Sequence, residues 1–325
     1  MNKKMIGAAM TALTLGLGAI APAMAADYPS KPLRIVVGFP PGQATDIIAR
    51  LVAKKLEEGL KQPVVVENKP GAGGIIGTEQ VIRAEPDGYT LLVSSSGPLA
   101  INPSLYKNIS YDPLRDLAPI SEIAVVPLFL AVTNNSKAKT AADLVKMAKA
   151  QPGKLNYASG GSGVTSHLTM ELFKHAQQFD MQHVPYKGSP AAVTDLIGGQ
   201  VEAMIDTGPA LIGNAQSGKL RLLAVASEKR NAAVPDVPTM AEAGMGDFVA
   251  PAWISIMAPA KTPKPVIDKL YATLQKVWAE PDVTKTLNAL GAEPILKTPD
   301  ETRAYVQAEI TKWAEAVKLS GARVD

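Results

Sequence analysis

Three junctions in this sequence combine small residues, hydroxyls and the start of a helical pattern, a combination that suits holding an anion. The first is Phe39-Pro40-Pro41-Gly42-Gln43-Ala44-Thr45-Asp46. An apolar run ends there and an amphipathic pattern starts, so Thr45 is placed to cap a helix whose first-turn amides stay free. Free amides and the helix dipole bind a carboxylate without any positive side chain. An ordinary capped helix after a rigid Pro-Pro turn is the alternative. Asp46 is counted with this loop, its main role read as a first-turn acid bonding neighbouring amides. The second junction runs Ser159-Gly160-Gly161-Ser162-Gly163-Val164-Thr165-Ser166-His167. Its glycines permit close backbone approach and its hydroxyls donate to an anion, against the plainer reading of a flexible capped turn. The third, Ser94-Ser95-Ser96-Gly97, is a weaker signal, since serine-rich loops are common.

Other chemistries fit less well. Ser162, His167 and Asp206 invite an exported serine hydrolase, but Gly160-Gly161-Ser162-Gly163-Val164 lacks the last glycine of a nucleophile elbow. Ser162 and His167 would also sit five residues apart around a helix start, an unusual geometry for that pair. The three histidines, His167, His175 and His183, show no metal-binding spacing, and with no cysteine there is no thiolate site. No metal or cofactor is expected. Gly71-Ala72-Gly73-Gly74 fits neither the dinucleotide pattern, which fails at Ile76, nor a P-loop, and reads as a turn for close packing. His175 and His183 read as surface or supporting residues, and His167 as a hydrogen-bond partner facing a cleft. Tyr186 and Asp206 each end a strand-like run, on the same side as the loops. An acid beside an anion site repels the ligand unless it meets an ammonium, a hydroxyl or water.

These loops need a scaffold, and the chain alternates strand and helix patterns throughout. Leu33 to Gly38 reads as a buried strand and Asp46 to Leu60 as a helix with apolar positions 47, 48, 51, 52 and 56 on one face. Further strands are expected over 64–67, 89–93, 128–133, 155–158, 183–186, 201–205, 220–227 and 253–257. Helices are expected over 75–84, 141–150, 165–177, 190–197, 265–280 and 299–319. This order predicts an α/β fold with mainly parallel sheets. Two lobes fit better than one sheet. The first comprises residues 26–125 and 251–325 and the second 126–250, with turn-rich crossings at Asp112–Pro127 and Pro235–Pro251. Ligands of open α/β sheets sit beyond the carboxyl ends of the strands, so two facing sheets make a cleft.

The first 25 residues read as an address. Lys3 and Lys4 precede a short apolar stretch, Met5 to Ile20, and Ala23-Met24-Ala25 offers a signal-peptidase site. A permanent anchor is the alternative, for which the stretch is short. Cleavage after Ala25 leaves 300 of the 325 residues and lowers the net charge from +3 to +1, which gives no footprint for nucleic acid. Nothing after residue 25 is long and apolar enough to span a bilayer.

Motifs spread along the mature chain carry a close resemblance to a known family. They are Tyr28 to Val37, Pro41-Gly42 with Thr45-Asp46, Glu67 to Gly74, Pro86 to Leu91, Val184 to Gly188, Leu196 to Val201 and Ala258 to Pro263. The chain resembles the Bug family, the extracytoplasmic solute receptors of tripartite tricarboxylate transporters. The resemblance implies a type II periplasmic binding protein fold, two doubly wound lobes around a ligand cleft. It implies a monomeric, non-enzymatic periplasmic receptor for a small carboxylate (a di- or tricarboxylate, aromatic acid or acidic amino acid), with integral-membrane permease subunits as partners. It also implies that the loops at Phe39–Asp46 and Ser159–His167 act as a pincer on the carboxylate. One departure stands out: Gln43 replaces the second of two glycines usual in the family. A ligand sensor for a membrane signalling partner uses the same cleft, and the sequence does not separate it from transport.

Overall fold

The computed structural model describes residues 28–322 and 324. The segment read as an export signal, with its cleavage site, lies outside the described residues. The strands are β1 (Leu33–Val37), β2 (Val64–Asn68), β3 (Thr90–Ser95), β4 (Leu117–Val126) and β5 (Leu128–Thr133). They continue with β6 (Asn156–Ser159), β7 (Gln182–Pro185), β8 (Ala203–Thr207), β9 (Leu220–Val225), β10 (Ala252–Pro259) and β11 (Glu293–Pro294). They form a six-stranded sheet ordered β11-β4-β10-β3-β1-β2 and a five-stranded sheet ordered β7-β6-β8-β5-β9. With helices packed on both, this is the two-sheet α/β architecture expected from the alternating pattern.

The expectation of mainly parallel sheets does not hold. Among the described strands, β1 with β2 and β3, and β6 with β7 and β8, pair in parallel, and the pairings of β10, β11 and β5 are antiparallel. The reason is the crossing between sheets. A strand that feeds a helix ends at the cleft edge, whereas β5 and β10 enter their sheets from the crossing and begin there. Ser95, the last residue of β3, lies opposite Ile254 near the start of β10. Thr207, the last of β8, lies opposite Leu128, the first of β5.

The crossing is also tighter than expected. The stretch read as turns between Asp112 and Pro127 contains β4, ten residues long and buried at eight of them. Pro119, Ser121 and Glu122 disguise it in the sequence. Glu122 is fully buried in this strand because Lys297 reaches its carboxylate at 2.5 Å. The chain therefore changes sheets at Pro127 alone. The return passes through the turn-rich 226–251 segment, and Val126 pairs with Ala252, so the two crossings lie side by side.

Helices missed in the sequence include Gly208–Gln216 and Pro281–Ala289. Helix Pro299–Ser320 covers the first sheet, where Glu309 accepts hydrogen bonds from the indole N–H groups of Trp253 and Trp313 at 2.9 and 3.0 Å. The end of β1, which launches the first candidate loop, is fixed by glycine contacts. A Cβ on Gly77, in the Ile75–Ile82 helix, would lie 2.6 Å from Gly38 Cα. Only two facing glycines let helix and strand approach so closely.

Candidate functional site

A narrow cavity of about 30 Å³ lies between the lobes, room for a water molecule. The first lobe contributes Phe39, Gln43, Ala44, Thr45 and Ser95. The second contributes Val164, Thr165, Ser166, Asp206 and Thr207, and the crossing strands supply Val126, Ala252 and Ile254. None of these residues is basic. The lobes are closed on one another: Ser96 and Thr165 share a buried hydroxyl–hydroxyl hydrogen bond of 2.7 Å across the cleft.

The first loop ends in the Ala44–Leu60 helix, which starts two residues earlier than its apolar pattern suggests. Gln43, with extended backbone, takes the N-cap position, and its side chain makes no cap bond. Thr45 is therefore not the cap expected from the sequence; it sits in the first turn, buried, against the cavity. The amides of Ala44 and Thr45 have no partner within the helix, as first-turn amides never do. Gly42, at φ +84°, donates its N–H to Asp46 Oδ2 at 2.9 Å. Asp46 also accepts from the Arg50 guanidinium at 2.9 and 3.1 Å and from Asn68 Nδ2 at 2.8 Å. Burial opposes its charge, but these hydrogen bonds outweigh it and hold the carboxyl below its ordinary range. Both oxygens are engaged by protein, so Asp46 shapes the loop from behind.

The second loop ends in the Thr165–Gln177 helix, whose N-cap, Val164, has no side chain able to cap. Thr165 and Ser166 thus bring a second set of free amides to the cavity, from the opposite lobe. Gly160, Gly161 and Ser162 of this loop line a neighbouring, wider cleft rather than this cavity. Ser166 Oγ accepts from Gly160 N–H at 3.3 Å, and Ser159 Oγ bonds Gly161 and, at 2.6 Å, His183 Nε2.

Four expected site residues point elsewhere. His167 turns from the cavity: its Nδ1 accepts from Gly163 N–H at 3.3 Å and its ring stacks on His183 at 3.9 Å. His183 in turn stacks on Tyr157, so it is a half-buried packing residue, not a surface one. Burial lowers the two imidazoles to about 4 and about 3, which leaves both neutral at neutral pH. Tyr186 donates its hydroxyl to Asp195 at 2.7 Å, and Ser94 is buried within β3 opposite Ser255. Ser162 lies on a second, wider cleft of about 500 Å³ shared with Pro40, Tyr106 and Gly188. Among the described residues no hydrogen bond joins Ser162, His167 and Asp206, so the hydrolase constellation is not assembled. No cluster of metal-ligating side chains occurs among them either.

Asp206 does line the cavity. It is 3% exposed; Oδ2 accepts from Ser189 Oγ at 2.7 Å, and Oδ1 accepts from Thr207 N–H at 2.7 Å and Thr207 Oγ1 at 3.1 Å. Burial drives its pKa up in spite of these bonds. Thr207, which ends the same strand on the cleft side, lines the cavity beside it.

A cavity with two opposed helix starts and no basic lining residue suits an anion gripped by backbone. Known proteins of the same shape bear on that. The family model described as "Tripartite tricarboxylate transporter family receptor" matches residues 48–321. Protein BugT of Bordetella pertussis is 42% identical over 308 residues, 94% of each chain. Rpa4515 of R. palustris, solved with adipate, is 35% identical with a TM-score of 0.89, over 92% of this chain and 100% of that one. MatC from Rhodopseudomonas palustris, solved with bound malate, is 31% identical with a TM-score of 0.84, over 89% of this chain and 100% of that one. Sequence and architecture agree over nearly the whole length: this chain belongs to the receptor family of the tripartite tricarboxylate transporters.

Proposed function

We propose that this protein is a non-enzymatic periplasmic receptor, exported by its N-terminal signal, that captures a small carboxylate by closing its lobes and hands it to a separate membrane permease. The observation that carries the reading is the pair of uncapped helix starts, Ala44-Thr45 and Thr165-Ser166, meeting at one narrow cavity from opposite lobes. A carboxylate bonded to both sets of amides stabilises the closed form because the open form offers only one set at a time. The bodies that move are residues 28–126 with 252–322 against 128–250, and the crossings at Pro127 and Pro251 bend. The cavity is narrow, so a ligand enters while its walls are parted. Relatives solved with adipate and malate support a carboxylate ligand. Di- and tricarboxylates, aromatic acids and acidic amino acids are the classes to try.

A thermal-shift screen of the mature chain against those classes, with sugars and cations as controls, tests the reading. A carboxylate at about 1,000 times its Kd adds about 4 kcal/mol of stability, a shift easily seen. Thr45→Val, in the cavity wall, is expected to weaken binding several-fold, whereas His175→Ala, on an exposed helix end, leaves it unchanged. Shifts from sugars or cations with none from any carboxylate would sink the proposal.

A further inference from the structure

The cavity holds more acceptors than a simple carboxylic acid can use. Gln43 is 8% exposed, and its Oε1 is buried without any hydrogen-bond partner. The side chain crosses the cleft: Oε1 would lie 3.4 Å from a Cβ on Gly188, in the other lobe. Next in sequence is Ser189, whose hydroxyl donates to Asp206. Asp206 faces the same cavity, makes no ion pair with any described Lys or Arg, and keeps acceptor capacity beyond its three bonds. A buried acceptor left unpaired is costly, whereas one awaiting a ligand donor gains when that donor arrives. Asp206 adds a second acceptor to the same wall.

We propose that the ligand carries, besides its carboxylate, a hydrogen-bond donor, an ammonium or a hydroxyl, which Gln43 Oε1 and Asp206 receive. This rests on the carboxylate reading above and narrows it: the ligand is an amino or hydroxy acid rather than the parent acid of the same skeleton. The backbone amides select the carboxylate, and Gln43 selects what else the molecule bears. Because Gln43 comes from one lobe and Asp206 from the other, the donor is fully satisfied only on closure. A site built around a donor also rejects the analogue that lacks it more strongly than it rejects a change of one methylene.

Calorimetric titration of the mature chain with matched sets tests this. The sets are propionate, alanine and lactate; succinate, aspartate and malate; glutarate, glutamate and 2-hydroxyglutarate; and phenylpropionate, phenylalanine and phenyllactate. In the skeleton that binds most tightly, the amino or hydroxy acid is expected to bind at least about tenfold more tightly than its parent acid. In Gln43→Leu that ratio is expected to fall to about threefold or less. The side chain makes no cap bond, so the variant is expected to fold. Preference for the amino member assigns an ammonium, and Asp206→Asn then weakens it more than the hydroxy member; preference for the hydroxy member assigns a hydroxyl. A parent acid binding as tightly as its derivatives overturns this inference and leaves the carboxylate reading intact. A preference undiminished in Gln43→Leu overturns the role of Gln43. Binding of none of the acids, here or in the wider screen, overturns both.

Discussion

Replacing Asp46 with alanine is expected to destabilise the protein by about 3 kcal/mol and to weaken ligand binding at least tenfold. Its buried carboxylate ties Gly42 N–H, Asn68 Nδ2 and the Arg50 guanidinium to one point. Without it the Gly42 amide has no acceptor, and the turn at φ +84° that aims the next amides into the cavity loses its anchor. Arg50 is about half exposed and regains water, so the cost stays below that of a fully buried pair. Because the folded state lowers the Asp46 pKa, its contribution is present at neutral pH and lost as pH falls below about 4 through the folded value. Asp46→Ala is therefore expected to flatten the acid limb of the stability profile. Urea midpoints from pH 7 to pH 3, with affinities at pH 7, check both effects. A loss under about 1 kcal/mol with unchanged affinity would show that the loop holds its shape by other means.

Gly188→Ala is expected to lower affinity by ten- to a hundredfold through a different route. Gly188 (φ +110°) precedes the Ser189–Ile197 helix in the second lobe, and a Cβ there would lie 2.4 Å from Pro40 Cγ in the first. Overpacking of this kind costs about 1–3 kcal/mol, and here it falls on the closed form alone. The backbone strain of alanine at positive φ is present in both open and closed forms, so it lowers thermal stability and cancels from binding. Adding Pro40→Ala is expected to restore much of the affinity and none of the lost stability. Affinity equal to the parent's in Gly188→Ala alone would mean that the lobes need not approach this closely to hold the ligand.

What the sequence disclosed follows from the range of the interactions involved. Local signals served well: the helix expected over 141–150 is found at those bounds, and the glycine and hydroxyl loops stand where the two sheets face. Strand direction is not local. The antiparallel entries of β5 and β10 depend on where the chain crosses between sheets, which no periodicity records. β4 was hidden because a strand buried at eight of its ten residues shows no alternation, and because its Glu122 is matched by Lys297, 175 residues away. The site shows the same division. Thr45, Thr165 and Ser166 are legible as helix starts, whereas the ring of His167 was claimed by His183, sixteen residues on, and the hydroxyl of Tyr186 by Asp195. Gln43, conspicuous as a departure from the family's glycine, is now placed as a buried side chain reaching across the cleft.

Closure on a carboxylate is the centre of this account, and small-angle X-ray scattering of the mature chain tests it most directly. The radius of gyration is expected to be larger without ligand and to fall on saturation with the tightest-binding carboxylate, towards the value calculated from the closed arrangement described above. Gly188→Ala is expected to stay expanded at the same ligand concentration. A carboxylate that binds without changing the radius of gyration would contradict the account.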